Sequence, residues 1–210
     1  MKIDIELFVK KYTVSSKMIH EQQLIYILKN LQFVLENNIP GDIVELGCNV
    51  GTTTIFIARL LKLHKSEKKI HVYDSWKGLP EKNINDYSDS KHGKGCFKIT
   101  KNIFIDNLIR NNVQIPNIHS GWFKDIEDNN FPNEICFALF DGYFYSSILD
   151  SFNKTYKKIN NNGIIVINRY NFHDFPGIKK ACTLFLKDKE ELLDLNKYYD
   201  ENNITKVIKL

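Results

Sequence analysis

Apolar residues Leu24, Ile27, Leu28, Leu31, Val34 and Leu35 recur at spacings of three and four. This predicts an amphipathic helix from Ser15 or Ser16 through residue 37, opened by a serine cap and closed by the NNIPG run. The period then changes. DIVELG, residues 42–47, reads as a short strand ending in glycine, and residues 52–63 as a helix with Ile55, Ala58 and Leu61 turned inward. KIHVYD, residues 69–74, is a second apolar run that stops at an acid. Residues 75–98 carry Gly, Pro, Asn, Asp and Ser throughout, which predicts a long polar loop with at most one short helix. Beyond it come a helix over 100–111, a weak strand over 115–120, a buried strand EICFALFD over 134–141, a helix over 145–159, a strand GIIVIN over 163–168 and a helix over 177–187. In the tail, Leu192, Leu193, Leu195, Ile204, Val207 and Ile208 predict a last helix and an antiparallel edge strand.

Strands that alternate with helices, and are apolar along their whole length, predict an α/β fold: a mostly parallel, doubly wound, Rossmann-like sheet with helices on both faces. In such sheets the ligand lies beyond the carboxyl ends of the strands. At 210 residues and 43% hydrophobic, the chain is the size of one domain with a full core. The expected division is a helical segment over 1–40 packed on a core of 41–210. A net charge of +4, spread among glutamates and asparagines, marks neither a nucleic-acid surface nor a polyanion partner. No apolar run approaches membrane-spanning length and the start lacks a secretion-signal core, so a cytoplasmic protein without a membrane partner is expected. The four cysteines form no CxxC or CxH pair, which signals neither zinc nor a disulfide framework.

The candidate chemistry begins at ELGCNVG, residues 45–51, where Gly47 and Gly51 stand four apart as the chain leaves a strand and enters a helix. Such a turn lets backbone approach a ligand. It lacks the middle glycine of G-x-G-x-x-G, so a nicotinamide dinucleotide is a poor match. S-adenosylmethionine (SAM) asks for close backbone approach at its methionine end and for an acid after the second strand to accept the ribose hydroxyls. Asp74, 29 residues after Glu45, ends that strand.

YTVSS, IPGDIVELGCNVGTTT, VYDSWKGLPE, HGKG, GWFKD, FALFDG and PGIKKA, in this order over about residues 12–186, resemble the macrocin O-methyltransferase family of SAM-dependent sugar O-methyltransferases. The resemblance implies a SAM-dependent methyltransferase fold, with S-adenosylhomocysteine (SAH) as product. It implies that Glu45, Gly47 and Gly51 line the methionine end, that Cys48, Asn49 and Thr52 also bind the cofactor, that Asp74 holds the ribose, and that Ser75 and Trp76 sit near the adenine. Gly121 and Trp122, after the third strand, fall where such folds bury the purine, and Asp141 faces the methyl group.

The family's acids break down at one place. Members resembling this chain carry Asp-Gly-Asp after strand four and Asp-Asp-Tyr after strand five, and those acids hold magnesium. Here the motifs are Asp141-Gly142-Tyr143 and, 27 residues on, Asn168-Arg169-Tyr170. An arginine at a ligand position repels a dication, so no metal is expected. Two accounts stay open: the Arg169 guanidinium takes over the metal's charge, or the site has lost its chemistry and only binds. Asp141 is the first candidate base, with His92 in the long loop and His173 after the fifth strand behind it. Tyr143, Tyr145 and Tyr170 cluster near the same edge, either against a sugar ring or as ordinary packing. The expected partner is a small-molecule or saccharide acceptor, with no nucleic acid and at most a second copy in a homodimer. The rival readings are a non-catalytic SAM-fold binding protein and a nicotinamide-dependent oxidoreductase.

Overall fold

Asp42 begins a run of five residues in which every side chain after the first is buried, the signature of a strand covered on both faces. The computed structural model describes residues 3–14, 16, 18–191, 195 and 203–210. Its strands are β1 (Asp42–Leu46), β2 (Ile70–Asp74), β3 (Asn117–Ser120), β4 (Ile135–Phe140), β5 (Ile159–Ile167) and β6 (Thr205–Ile208). They form one sheet in the order β3-β2-β1-β4-β5-β6; the first five are parallel and β6 is antiparallel to β5. Ser15, Leu192, Leu193 and the last helix expected in the tail lie outside the described residues, whereas the antiparallel edge strand is present.

The period of two along each strand divides the core. Ile43, Phe137, Leu139, Ile164 and Val166 face α1 (Ile5–Lys10), α2 (Glu21–Glu36), α3 (Thr52–His64) and α4 (Lys101–Arg110). Val44, Leu46, Ala138, Phe140, Ile165 and Ile167 face α5 (Tyr145–Thr155) and α6 (Pro176–Phe185). The N-terminal helices are part of this core: Phe8 of α1 and Leu24, Leu28 and Leu31 of α2 are buried in the first half of it. Among the described residues no helix is long and apolar enough to cross a membrane.

Two boundaries differ from the pattern. α2 starts at Glu21, later than the serine cap predicts, because Ser16 Oγ accepts the Met18 N–H at 3.0 Å in a turn of its own. Gln23 Oε1 takes the His20 N–H at 3.0 Å instead. β5 starts at Ile159, where a helix is expected, and runs through Asn160, Asn161, Asn162 and Gly163. It does so by a bulge. Asn162 adopts a left-handed φ of 63°, and the pairing with β4 jumps between Ile135↔Ile159 and Phe137↔Ile164.

Candidate active site

The strand order reverses between β1 and β4, and a cavity of about 400 Å³ opens at their carboxyl ends. Gly47, Cys48 and Asn49 line it from β1, Asp74 and Ser75 from β2, and Trp122 to Lys124 from the chain after β3. Asp141, Gly142 and Tyr143 line it from β4, with Ser146, Ser147 and Asp150 from the start of α5. Two further walls come from the long loop, through Leu79, Pro80 and Phe97, and from the segment before α2, through Ser16, Met18 and Ile19.

Gly47 makes this geometry possible. It sits at φ 96°, and a Cβ there would meet the Asp141 carbonyl oxygen at 2.9 Å, so any side chain would push the ends of β1 and β4 apart. The turn that follows is organised by Asp74. Asp74 Oδ2 accepts the N–H groups of Cys48 at 3.2 Å and Asn49 at 3.0 Å, and Oδ1 accepts that of Trp76 at 2.9 Å. Burial pushes the Asp74 carboxyl above its ordinary value, and these backbone donors pull against that rise. The Asn49 amide donates to the Phe97 carbonyl at 2.9 Å, tying the long loop to the glycine turn.

Glu45, on β1, is buried where it meets the cavity. Thr54 Oγ1 donates to it at 2.6 Å, yet burial, with Asp141 and Asp74 adding negative charge nearby, pushes its carboxyl up to about 8. Burial also raises the Cys48 thiol and the Tyr143 phenol, so both stay protonated near neutrality. Asp141 is raised by burial as well, and here Arg169 and Asn168 oppose the rise. Its Oδ1 accepts from Asn168 Nδ2 at 3.0 Å and from Arg169 Nη1. The guanidinium also donates through Nη2 to the Met18 carbonyl and lies 4.2 Å from the centroid of the Tyr143 ring.

A model described as macrocin-O-methyltransferase (TylF) matches residues 10–200, nearly the whole chain. The chain belongs to this family. One relative is the 8-demethyl-8-(2,3-dimethoxy-alpha-L-rhamnosyl)-tetracenomycin-C 4'-O-methyltransferase of Streptomyces olivaceus, 25% identical over 169 residues that cover 71% of this chain and 65% of that protein. Another is the demethyldecarbamoylnovobiocin O-methyltransferase of Streptomyces niveus, 26% identical over 165 residues that cover 73% and 62%. The chain thus spans just under two thirds of the length of these curated relatives. Its fold is that of the O-methyltransferase NovP, with a TM-score of 0.80 at 22% identity over 92% of this chain and 81% of that one. The calicheamicin methyltransferase CalS11 shares it at a TM-score of 0.73 and 15% identity, covering 98% and 91%.

Of the residues that the family resemblance singles out, Glu45, Gly47, Cys48, Asn49, Thr52, Asp74, Ser75, Trp122 and Asp141 line the cavity together. Others stand back from it. Gly51 serves packing, since a Cβ at its φ of 83° would meet the Phe104 ring at 2.9 Å. Trp76, expected beside the adenine, instead packs its ring 5.4 Å from Phe104 and donates its Nε1 hydrogen to Ser120 Oγ at 3.0 Å. Gly121 is a turn residue whose N–H meets the Asp74 carbonyl at 3.0 Å.

Neither candidate histidine reaches the cavity lining. His173 is 85% exposed and paired with Asp174 at 2.8 Å. His92 lies 3.0 Å from Ser90 Oγ and packs against Phe97 and Phe175, held there by an aromatic cluster the sequence did not reveal. The sequence reading also missed Met18, Ile19 and the α5 hydroxyls Ser146 and Ser147. The YTVSS motif just before Met18 was the one signal for the N-terminal wall.

Magnesium, which the family resemblance brings with it, does not fit the residues present. Asp141 is the one carboxylate left in the motifs after β4 and β5, and its Oδ1 is bonded to a guanidinium and an amide. Among the described residues no three His, Cys, Asp or Glu side chains form a group able to hold a metal.

Proposed function

We propose that the chain is a SAM-dependent O-methyltransferase that methylates a hydroxyl of a sugar or a sugar-bearing small molecule, without a required metal. The observation that carries this reading is one cavity with two unlike ends. At one end the glycine turn, Asp74 and Ser75 present backbone and carboxylate; at the other stand Asp141, Tyr143, Ser146 and Ser147. The first end suits the cofactor, held by Glu45, Gly47, Cys48, Asn49, Thr52, Asp74, Ser75 and Trp122. The second suits an acceptor rich in hydroxyls. Two relatives, named for O-methylation of a rhamnosyl-tetracenomycin and of demethyldecarbamoylnovobiocin, favour the same class of acceptor.

Bound SAM would supply a sulfonium methyl group for in-line displacement, its sulfur keeping the electron pair of the carbon–sulfur bond as the acceptor oxygen takes the methyl. The protein aligns the acceptor oxygen with it and takes the proton. The hydroxyl proton passes to Asp141, whose Oδ1 is held by Arg169 and Asn168, so that Oδ2 is the oxygen left to receive it. Tyr143, kept protonated by burial, serves as wall and hydrogen-bond donor and not as base.

Calorimetry with SAH is the first test. Wild type should bind it, and Asp74→Ala should weaken binding at least about tenfold, because a carboxylate that accepts charge-assisted hydrogen bonds is lost and the turn it organises loosens. Methyl transfer to a panel of glycosides is the second. SAH binding without turnover on any of them would favour a binding protein over an enzyme.

A further inference from the structure

Arg169 is buried in a left-handed backbone conformation, φ 56°, that arginine seldom adopts. From there one guanidinium reaches three parts of the fold: the Asp141 carboxylate at the end of β4, the Tyr143 ring beyond it, and the Met18 carbonyl of the segment before α2. Asn168 completes the arrangement. Its side-chain oxygen accepts the Arg169 N–H at 3.0 Å while its amide donates to Asp141. A fixed positive charge with forked donors thus stands at the carboxyl edge of β4 and β5, beside the cavity but outside its lining.

We propose that Arg169 is the site's built-in cation and its staple: the guanidinium takes the place of a divalent ion beside Asp141 and, through Met18, holds the N-terminal segment as a wall of the acceptor end. The proposal rests on the methyltransferase reading above and adds to it a positioning residue that links charge compensation to closure. Two nitrogens of one planar group serve the two contacts, which a single ammonium cannot reproduce. Because the cofactor end is built from β1 and β2, loss of the staple should open the acceptor wall and leave the cofactor end in place.

The experiment compares wild type, Arg169→Lys and Arg169→Gly, the last chosen because glycine accepts the left-handed backbone, so a fold lost to strain is avoided. SAH calorimetry comes first, and failure of wild type to bind would sink the methyltransferase reading alone. Both variants should bind SAH within about threefold of wild type, since Arg169 does not line the cavity. Amide hydrogen exchange at Met18 and Ile19 should rise about tenfold or more in both variants. Millimolar guanidinium should restore slow exchange in Arg169→Gly and not in Arg169→Lys, a rescue that general destabilisation does not produce. A titration with manganese, read by electron paramagnetic resonance, should find no stoichiometric site in wild type. Unchanged exchange at Met18 and Ile19 would overturn the staple. Stoichiometric manganese binding that Asp141→Asn abolishes would overturn the cation.

Discussion

Glu45 illustrates how a single residue can work against stability in order to shape a site. It is buried and accepts a hydrogen bond from the Thr54 hydroxyl, and its carboxyl is raised to about 8, so the folded protein favours the neutral form. For a carboxyl raised on folding, the stabilising contribution is complete below the unfolded value and is lost as pH climbs toward the folded one. Urea unfolding across pH should therefore show stability falling between about pH 5 and about pH 8, with Glu45→Gln, which keeps shape and has no charge to gain, flattening that slope. An identical slope in the variant would show that Glu45 is not the group responsible. Asp74 works differently. The backbone N–H groups of Cys48, Asn49 and Trp76 make it the organiser of the glycine turn, so Asp74→Asn should cost both SAH affinity and melting temperature. Asp74→Asn leaves one of its two positions with a donor facing a donor.

At the scale of elements, the strands and helices were legible wherever one period ran uninterrupted: β1, β2, β4, α3 and α4 fall within a residue or two of their sequence patterns. The exceptions have local causes. The polar run Asn160–Asn162 hides a bulged strand: it bridges the β4 pairs Ile135↔Ile159 and Phe137↔Ile164, and the Asn162 N–H donates to the Lys209 carbonyl at 2.8 Å just beyond β6. Asp86, which falls in the polar loop predicted over residues 75–98, is buried and caps a helix from far away. Its Oδ1 accepts the Tyr145 N–H, at the start of α5, at 2.6 Å, while Oδ2 accepts that of Asn83 at 3.0 Å. The start of α6 closes over it, since a Cβ at Gly177 would sit 2.0 Å from Asp86 Oδ1 and 2.8 Å from the Tyr145 nitrogen. Asp86→Ala should cost about 1–3 kcal/mol, the penalty of a buried cap left without its acceptor. Gly177→Ala should cost a similar amount by displacing the same carboxylate, and the double variant should cost less than the sum, because both changes break one contact. Strict additivity in chemical unfolding would mean that the two residues act separately.

For the molecule as a whole, the glycine-turn end of the cavity was legible because a single turn and one strand end carry it. The opposite end was not, because Met18, Phe97 and Ser147 come from three segments that only the folded chain brings together. The same dispersal ties the cavity to both halves of the core. Ile19 and Cys48 belong to the half under α2 and α3, whereas Leu79 and Tyr143 belong to the half under α5 and α6. A ligand that fills the cavity therefore touches both halves at once, and its binding energy should appear as stability of the whole sheet and not of one layer. With SAH at about one hundred times its dissociation constant, the gain is about 2.7 kcal/mol. For a chain of this size that is a rise of roughly 5–10 °C in the melting midpoint. Thermal unfolding should stay a single transition that moves upward by this amount, equally in buffer with chelator and in buffer with magnesium, since Arg169 and Asn168 already bond Asp141. A second transition appearing with SAH would mean that only one half of the core feels the ligand. A shift that vanishes with chelator and returns with magnesium would mean that an ion, and not the guanidinium, completes the site.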